Sequence, residues 1–295
     1  MKRTRPPQTL AEHTRAYAHD ALQTAWRFAA TTAPARRHST VFDGVERYVM
    51  FVGYPRSGHS LVGALLDAHP NAAISHEAAA LKHVHARFGR DRLFAVLLAD
   101  SARRGASSRG TTEYVYDVPG QWQGRFRRLR IIGDKHGEGA ALRLRARPWL
   151  LGRLRRTVGV PLRIVHGVRN PYDNIATIAR RAAQYDGRPL NLDAAIDRYQ
   201  ALCEIADHTR QCVEASEWID LRHETLVTDP AAELRTLCLA LGLDAPEDYL
   251  TACAGIVRAK PNQSRHTVAW TSAQRDAVAR LTDRFETLNG YTFEA

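Results

Sequence analysis

Residues 48–71 read YVMFVGYPRSGHSLVGALLDAHPN. The first five are large or β-branched and apolar, which suits a strand buried on both faces. Residues 53–58, GYPRSG, are a turn, with glycine at each end, Pro55 inside and Ser57 beside the second glycine. Residues 60–68 are predicted to be helical, because Leu61, Ala64, Leu65 and Ala68 recur at i, i+3, i+4 and i+7. A strand, a glycine-bounded loop and a helix form a layout that binds phosphate. The loop N–H groups and the free N–H groups of the first helical turn converge, and the helix dipole adds partial positive charge.

The spacing GYPRSGHS fits the pattern G-x-x-x-x-G-K-[ST] except at the lysine, whose place His59 takes. In a nucleoside-triphosphate enzyme that lysine serves the β- and γ-phosphates, and the next hydroxyl serves magnesium. Here the fixed cation is Arg56, inside the loop. An ordinary tight turn is the plainer reading of the glycines. Arg56 with two hydroxyls at a helix start instead favours an anion held by Arg56, Ser57, Gly58, His59 and Ser60.

The chain has 295 residues, 44% of them hydrophobic, which is enough for one large α/β domain or at most two. Its net charge is +11, mostly arginine; Lys2, Lys82, Lys135 and Lys260 are the lysines. Such a balance fits polyanionic partners, but the charge is scattered and no nucleic-acid-binding signature is present. Cys203, Cys212, Cys238 and Cys253 show no CxxC spacing, so a reduced, cytoplasm-like setting is expected rather than a disulfide frame or zinc site. No signal peptide and no long apolar span is read, and a soluble, cytoplasmic protein is expected.

In chain order, residues 10–30 read as a weak amphipathic helix and 34–44 as a linker, giving a helical extension over 1–40 and a catalytic domain over 41–295. Residues 72–75 read as a strand with Glu77 just after it, 78–88 and 90–100 as helices, 102–110 as a flexible basic loop, and 111–118 as an alternating strand. Residues 129–132 are another strand, ending in GDKH; 138–158 are helical, broken near Pro148. Residues 162–168, LRIVHGV, are a buried strand running into Arg169, Asn170 and Pro171, and proline starts the next helix well. A long helix over 192–216, a last strand at 218–221 and three closing helices follow. Alternating strands and helices predict a three-layer α/β/α fold with a central parallel sheet. Ligands of such folds sit at the carboxyl ends of the strands, so the loop, Glu77, Lys135 and Arg169 are expected to converge.

Together, GYPRSGHS and VRNPYDNIAT resemble the two motifs of sulfotransferases that use 3′-phosphoadenosine 5′-phosphosulfate (PAPS), a family with a P-loop-like fold. The resemblance implies that the first grips the 5′-phosphosulfate and the second the 3′-phosphate. In that family the second motif places a serine eight residues after its arginine; here Thr177 stands eight residues after Arg169 and offers an equivalent hydroxyl. His59 departs from the family's usual threonine. PRSGHSLVGALLDAHPNAAISHE is similar to the tyrosylprotein and Golgi-type subgroup, whose base is a glutamate soon after the loop; Glu77 matches it, 21 residues after Arg56. Lys135 is carried over from GDKHG, with His136 as a rival base, and Arg181 matches another nucleotide contact of that subgroup. Ser264 and Arg265, in KPNQSRHTVAW, read either as a late nucleotide clamp or as a basic loop.

The implied reaction is in-line transfer of a sulfuryl group from PAPS to an acceptor hydroxyl, with adenosine 3′,5′-bisphosphate as the product and no metal. Arg56 and Lys135 would stabilise the leaving oxygen, and Glu77 would take the acceptor's proton. The acceptor is a sugar, lipid, peptide or small alcohol, and a homodimer is left open. A phosphate-loop kinase using ATP, or a basic protein that binds nucleic acid or acidic membranes, are the alternatives.

Overall fold

The computed structural model describes residues 24, 26–105, 110–111, 114–187, 189–258 and 260–294. The strand expected at 48–52 is β1 (Arg47–Gly53), buried along all but its first residue. Its side chains alternate between two cores: Tyr48, Met50 and Val52 enter one, Val49 and Phe51 the other. A strand covered on both faces needs no polar face, which is why its sequence is continuously apolar.

Four more strands flank it: β2 (Ala72–His76), β3 (Ile131–Lys135), β4 (Leu162–Val168) and β5 (Trp218–Arg222). The order is β2-β3-β1-β4-β5, and every pairing is parallel. Register sets Gly53 beside Gly167 and His76 beside Lys135. All five carboxyl ends therefore lie along one edge of the sheet. The helices that cover it are α1 (His59–Asp67), α2 (Ala80–His85), α3 (Arg90–Gly105), α4 (Glu138–Ala146), α5 (Trp149–Val158), α6 (Pro171–Asp186), α7 (Leu192–Gln211), α8 (His223–Thr228), α9 (Pro230–Ala240), α10 (Glu247–Gly255) and α11 (Ser272–Arg284). This is the expected α/β architecture with a central parallel sheet.

Several local expectations change. Residues 34–44 are no linker: Thr32–Arg37 and Ser39–Phe42 are short helices, and Phe42 is fully buried with its ring edge-on to Phe94 at 5.6 Å. The basic run after residue 101 stays helical to Gly105, because Arg103 and Arg104 fold back onto the buried carboxylate of Asp100 one turn earlier. In place of a strand over 111–118, two-residue strands Gly110–Thr111 and Tyr114–Val115 pair with each other. The helix begun at 192 ends at Gln211, and a 3₁₀ turn, Ala215–Glu217, leads into β5. Of the N-terminal helix, residues 26–30 are helical and most of the rest lies outside the described residues. No helix among the described residues is long and apolar enough to cross a membrane.

Candidate functional site

The loop between β1 and α1 turns through left-handed backbone at Arg56 (φ 71°) and Gly58 (φ 91°). Gly58 is required twice over: its φ disfavours a side chain, and a Cβ there would stand 2.7 Å from His223 Nδ1. Gly58 caps α1 without a side-chain hydrogen bond, so no cap side chain takes the first-turn N–H groups. The Arg56 side chain points outward and is exposed.

Two residues expected to contact an anion turn inward. Gly167 N–H donates to His59 Nε2 at 3.0 Å, so the ring proton sits on Nδ1, 3.2 Å from Ser57 Oγ. Ser57 in turn donates to the Tyr54 carbonyl at 2.9 Å. Both His59 nitrogens and the Ser57 hydroxyl are thus engaged by the protein itself. Burial first, then nearby His166 and Lys135, push His59 down to about 3, so the ring is neutral. The ring fits because three glycines make room: a Cβ on Gly53, Gly137 or Gly167 would lie 2.7–3.1 Å from an imidazole atom. Ser57 and His59 can offer an anion their backbone N–H groups but not their side chains.

One strand over, Lys135 is the centre of a small cluster. Its Nζ donates to Glu77 Oε1 at 2.9 Å and to Ser60 Oγ and His76 Nε2 at 3.2 Å each. The Lys135 side chain is 3% exposed and that of Glu77 is 44% exposed. Burial works to raise Glu77, but the charge and hydrogen bond of Lys135 outweigh it and hold the carboxyl at about 2. Burial lowers Lys135, against the pull of Glu77. His136 is also lowered, chiefly by burial, and its ring packs where a side chain on Gly139 would collide with it. Glu77 itself is left-handed (φ 65°), as is Ala79 (φ 60°). Asp134 holds this turn: its carboxylate accepts Ser75 Oγ at 2.8 Å, Ala78 N at 3.0 Å and Ala80 N at 2.8 Å. Sequence reasoning passed over Asp134, although it sits next to Lys135 in GDKH.

The second motif arrives beside the first. Arg169 is buried and donates to the Arg56 carbonyl at 3.2 Å and to that of Asn262. Asn170 caps α6 by accepting from Tyr172 N, and its own N–H donates to Glu224, which also accepts from Tyr291 OH. The late segment then closes over α6: Thr177 and Ser264 share a hydroxyl–hydroxyl hydrogen bond of 3.0 Å. Arg265 does not face that pocket, because its guanidinium and N–H are both committed to the buried carboxylate of Asp173. Arg181 lies one turn beyond Thr177 on the same side of α6, where its guanidinium donates to Gln184 Oε1 at 3.2 Å. His223 went unassigned in the sequence. Its Nδ1 is buried against Gly58 with no hydrogen-bond partner among the described residues, and burial, then Arg169, takes the ring down to about 4.

The structure thus gathers Arg56, Ser60, Glu77, Lys135, Arg169, Thr177 and Ser264 along one sheet edge, and turns the side chains of Ser57, His59 and Arg265 into the scaffold. Residues 161–247 match the model of the Sulfotransferase family. Sulfotransferase STF9 from Mycobacterium avium is similar in fold, at 12% identity over 91% of this chain and 85% of that one, with a TM-score of 0.53. Sulfotransferase STF1 from Mycobacterium tuberculosis H37Rv is similar at 13% identity over the same shares, also with a TM-score of 0.53. No curated protein matches in sequence. The segment bearing Arg169, Thr177 and Glu224 is therefore one that matches the Sulfotransferase family, set within a fold that two mycobacterial sulfotransferases share.

Proposed function

We propose that this protein moves a sulfuryl group from PAPS to an acceptor hydroxyl. The observation that supports the reading most is the 3.2 Å hydrogen bond from Arg169 to the Arg56 carbonyl, which sets the two motifs side by side. The family match over residues 161–247 supports sulfuryl transfer independently. The residues present fit the donor. Loop N–H groups around Gly58, the Arg56 side chain and Lys135 suit its 5′ end, and Arg169 with the Thr177–Ser264 pair suits a 3′-phosphate. His223 Nδ1, unpartnered among the described residues, stands beside the same loop. PAPS supplies the activated sulfuryl group; the chain supplies position and charge.

In this reading Lys135 neutralises charge on an oxygen leaving from the loop side, and Glu77 takes the acceptor's proton. A carboxyl held at about 2 accepts protons poorly. An anion in the loop competes for Lys135 Nζ, loosens its hold on Glu77 and makes that carboxylate a better base. Glu77 as the base, and with it the likeness to the tyrosylprotein and Golgi-type enzymes, is part of this proposal. The kinase reading loses its cation, since His59 occupies the lysine's place and its ring is buried away from the loop surface.

Calorimetric titration with adenosine 3′,5′-bisphosphate tests the reading. Micromolar binding is expected, weakened about tenfold or more by Arg169→Ala through loss of a charge-assisted contact. Glu77→Gln should keep that binding and lower turnover by about 10²–10⁴. Absence of nucleotide binding sinks the assignment, and a turnover loss confined to His136→Ala moves the base to that residue.

A further inference from the structure

The corner where α4 turns into α5 lies outside the site and carries an arginine-rich sequence. From Gly139 to Val158 the chain carries six arginines and no carboxylate. Arg155 pairs with Glu217 at 2.6 Å, but among the described residues no carboxylate pairs with Arg145, Arg147, Arg153 or Arg156. At the crest of this cluster Leu142 is 46% exposed and Trp149 50% exposed. The corner is held firmly: Leu150, Leu151, Leu154 and Val158 bury the opposite side of α5, and α2 packs against it. His85 of α2 lies 5.7 Å from the Trp149 ring, and the Arg153 guanidinium lies 5.7 Å over it.

Two apolar side chains raised among unneutralised arginines match what an interfacial surface needs. Trp and Leu enter the boundary between headgroups and acyl chains, and arginine stems follow while their guanidiniums stay among lipid phosphates. Nucleic acid would use the arginines yet leave Leu142 without a role. It would also find Trp149 flanked by His85 and Arg153 rather than open for base stacking. We propose that the α4–α5 corner docks this protein on an anionic membrane surface, with Leu142 and Trp149 at headgroup depth and Arg145, Arg147 and Arg153 on acidic headgroups. The helix α4 begins just past Lys135, so a single helix joins the docked corner to the candidate site.

Sedimentation of the full chain with phosphatidylcholine vesicles, with and without about 30% phosphatidylserine, tests this. Binding is expected only to the acidic vesicles, fading as salt is raised. Arg145→Ala with Arg147→Ala should weaken it about twentyfold. Trp149→Ala should weaken it about fivefold even at high salt, where the apolar contact remains. All three positions are exposed, and unchanged thermal melts show that the variants fold. Equal binding to neutral vesicles, no binding to either kind, or acidic-vesicle binding untouched by these substitutions overturns the proposal. So does duplex DNA that displaces the vesicles and binds the Trp149→Ala variant as tightly as the parent chain.

Discussion

His59 shows how one side chain can fix a loop that other residues use. It bridges the loop, through Ser57, to the Gly167 N–H on β4, in a space that exists because residues 53, 137 and 167 lack side chains. A Cβ on Gly167 would stand 2.7 Å from the imidazole, and Gly167 has no left-handed backbone to complicate the test. Gly167→Ala is therefore expected to cost about 1–3 kcal/mol in urea unfolding, as overpacking does. In His59→Ala the same substitution should cost clearly less, since the clash is gone; additive costs would mean that the ring is not what fills the space. At the same scale, Lys135 and Glu77 are a pair whose opposite charges compensate the burial of the ammonium.

At the scale of the element, the segment from β2 to α2 is a strained turn held from outside. Left-handed backbone at Glu77 and Ala79 is unfavourable for residues with a Cβ. The Asp134 carboxylate offsets this by accepting two backbone N–H groups and the Ser75 hydroxyl. Asp134→Asn would turn an amide NH₂ toward one of these donors. A stability loss of about 2–3 kcal/mol is expected, since a buried donor is left unmet. Turnover should fall with nucleotide affinity nearly unchanged, because Glu77 loses its place while the loop does not. Equal losses of affinity and turnover would make Asp134 a general support of the fold instead.

The molecule as a whole buries neutral histidines, and this sets its response to acid. Burial lowers His59 to about 3 and, aided by Arg27 and Lys82, lowers His83 to about 4. Unfolded histidine titrates near 6.5. The folded values lie below that, so the unfolded chain takes up the extra protons. The contribution of these groups is whole above about pH 6.5 and is lost as pH falls toward the folded values. By pH 5 each should have cost about 2 kcal/mol, at 1.36 kcal/mol per unit. Denaturant midpoints that stay level from pH 7.5 to 5 would contradict this.

The layout of strands, loop and helices was legible because each rests on local chemistry. Apolar runs mark strands buried on both faces, glycines mark the loop, and proline marks the start of α6. The convergence of Arg56, Glu77, Lys135 and Arg169 was legible too, since a parallel sheet collects its carboxyl ends on one edge. Side-chain direction was not. Whether Ser57, His59 and Arg265 face a ligand or the interior depends on Gly167, Gly137 and Asp173, which are far away in sequence. The helices at 32–42 escaped notice for the same reason, because Phe42 is buried by packing on Phe94 rather than by any periodicity of its own. Sequence determines what each segment can form; long-range packing decides which polar atoms remain free to act, because burial and partners are properties of the assembled chain.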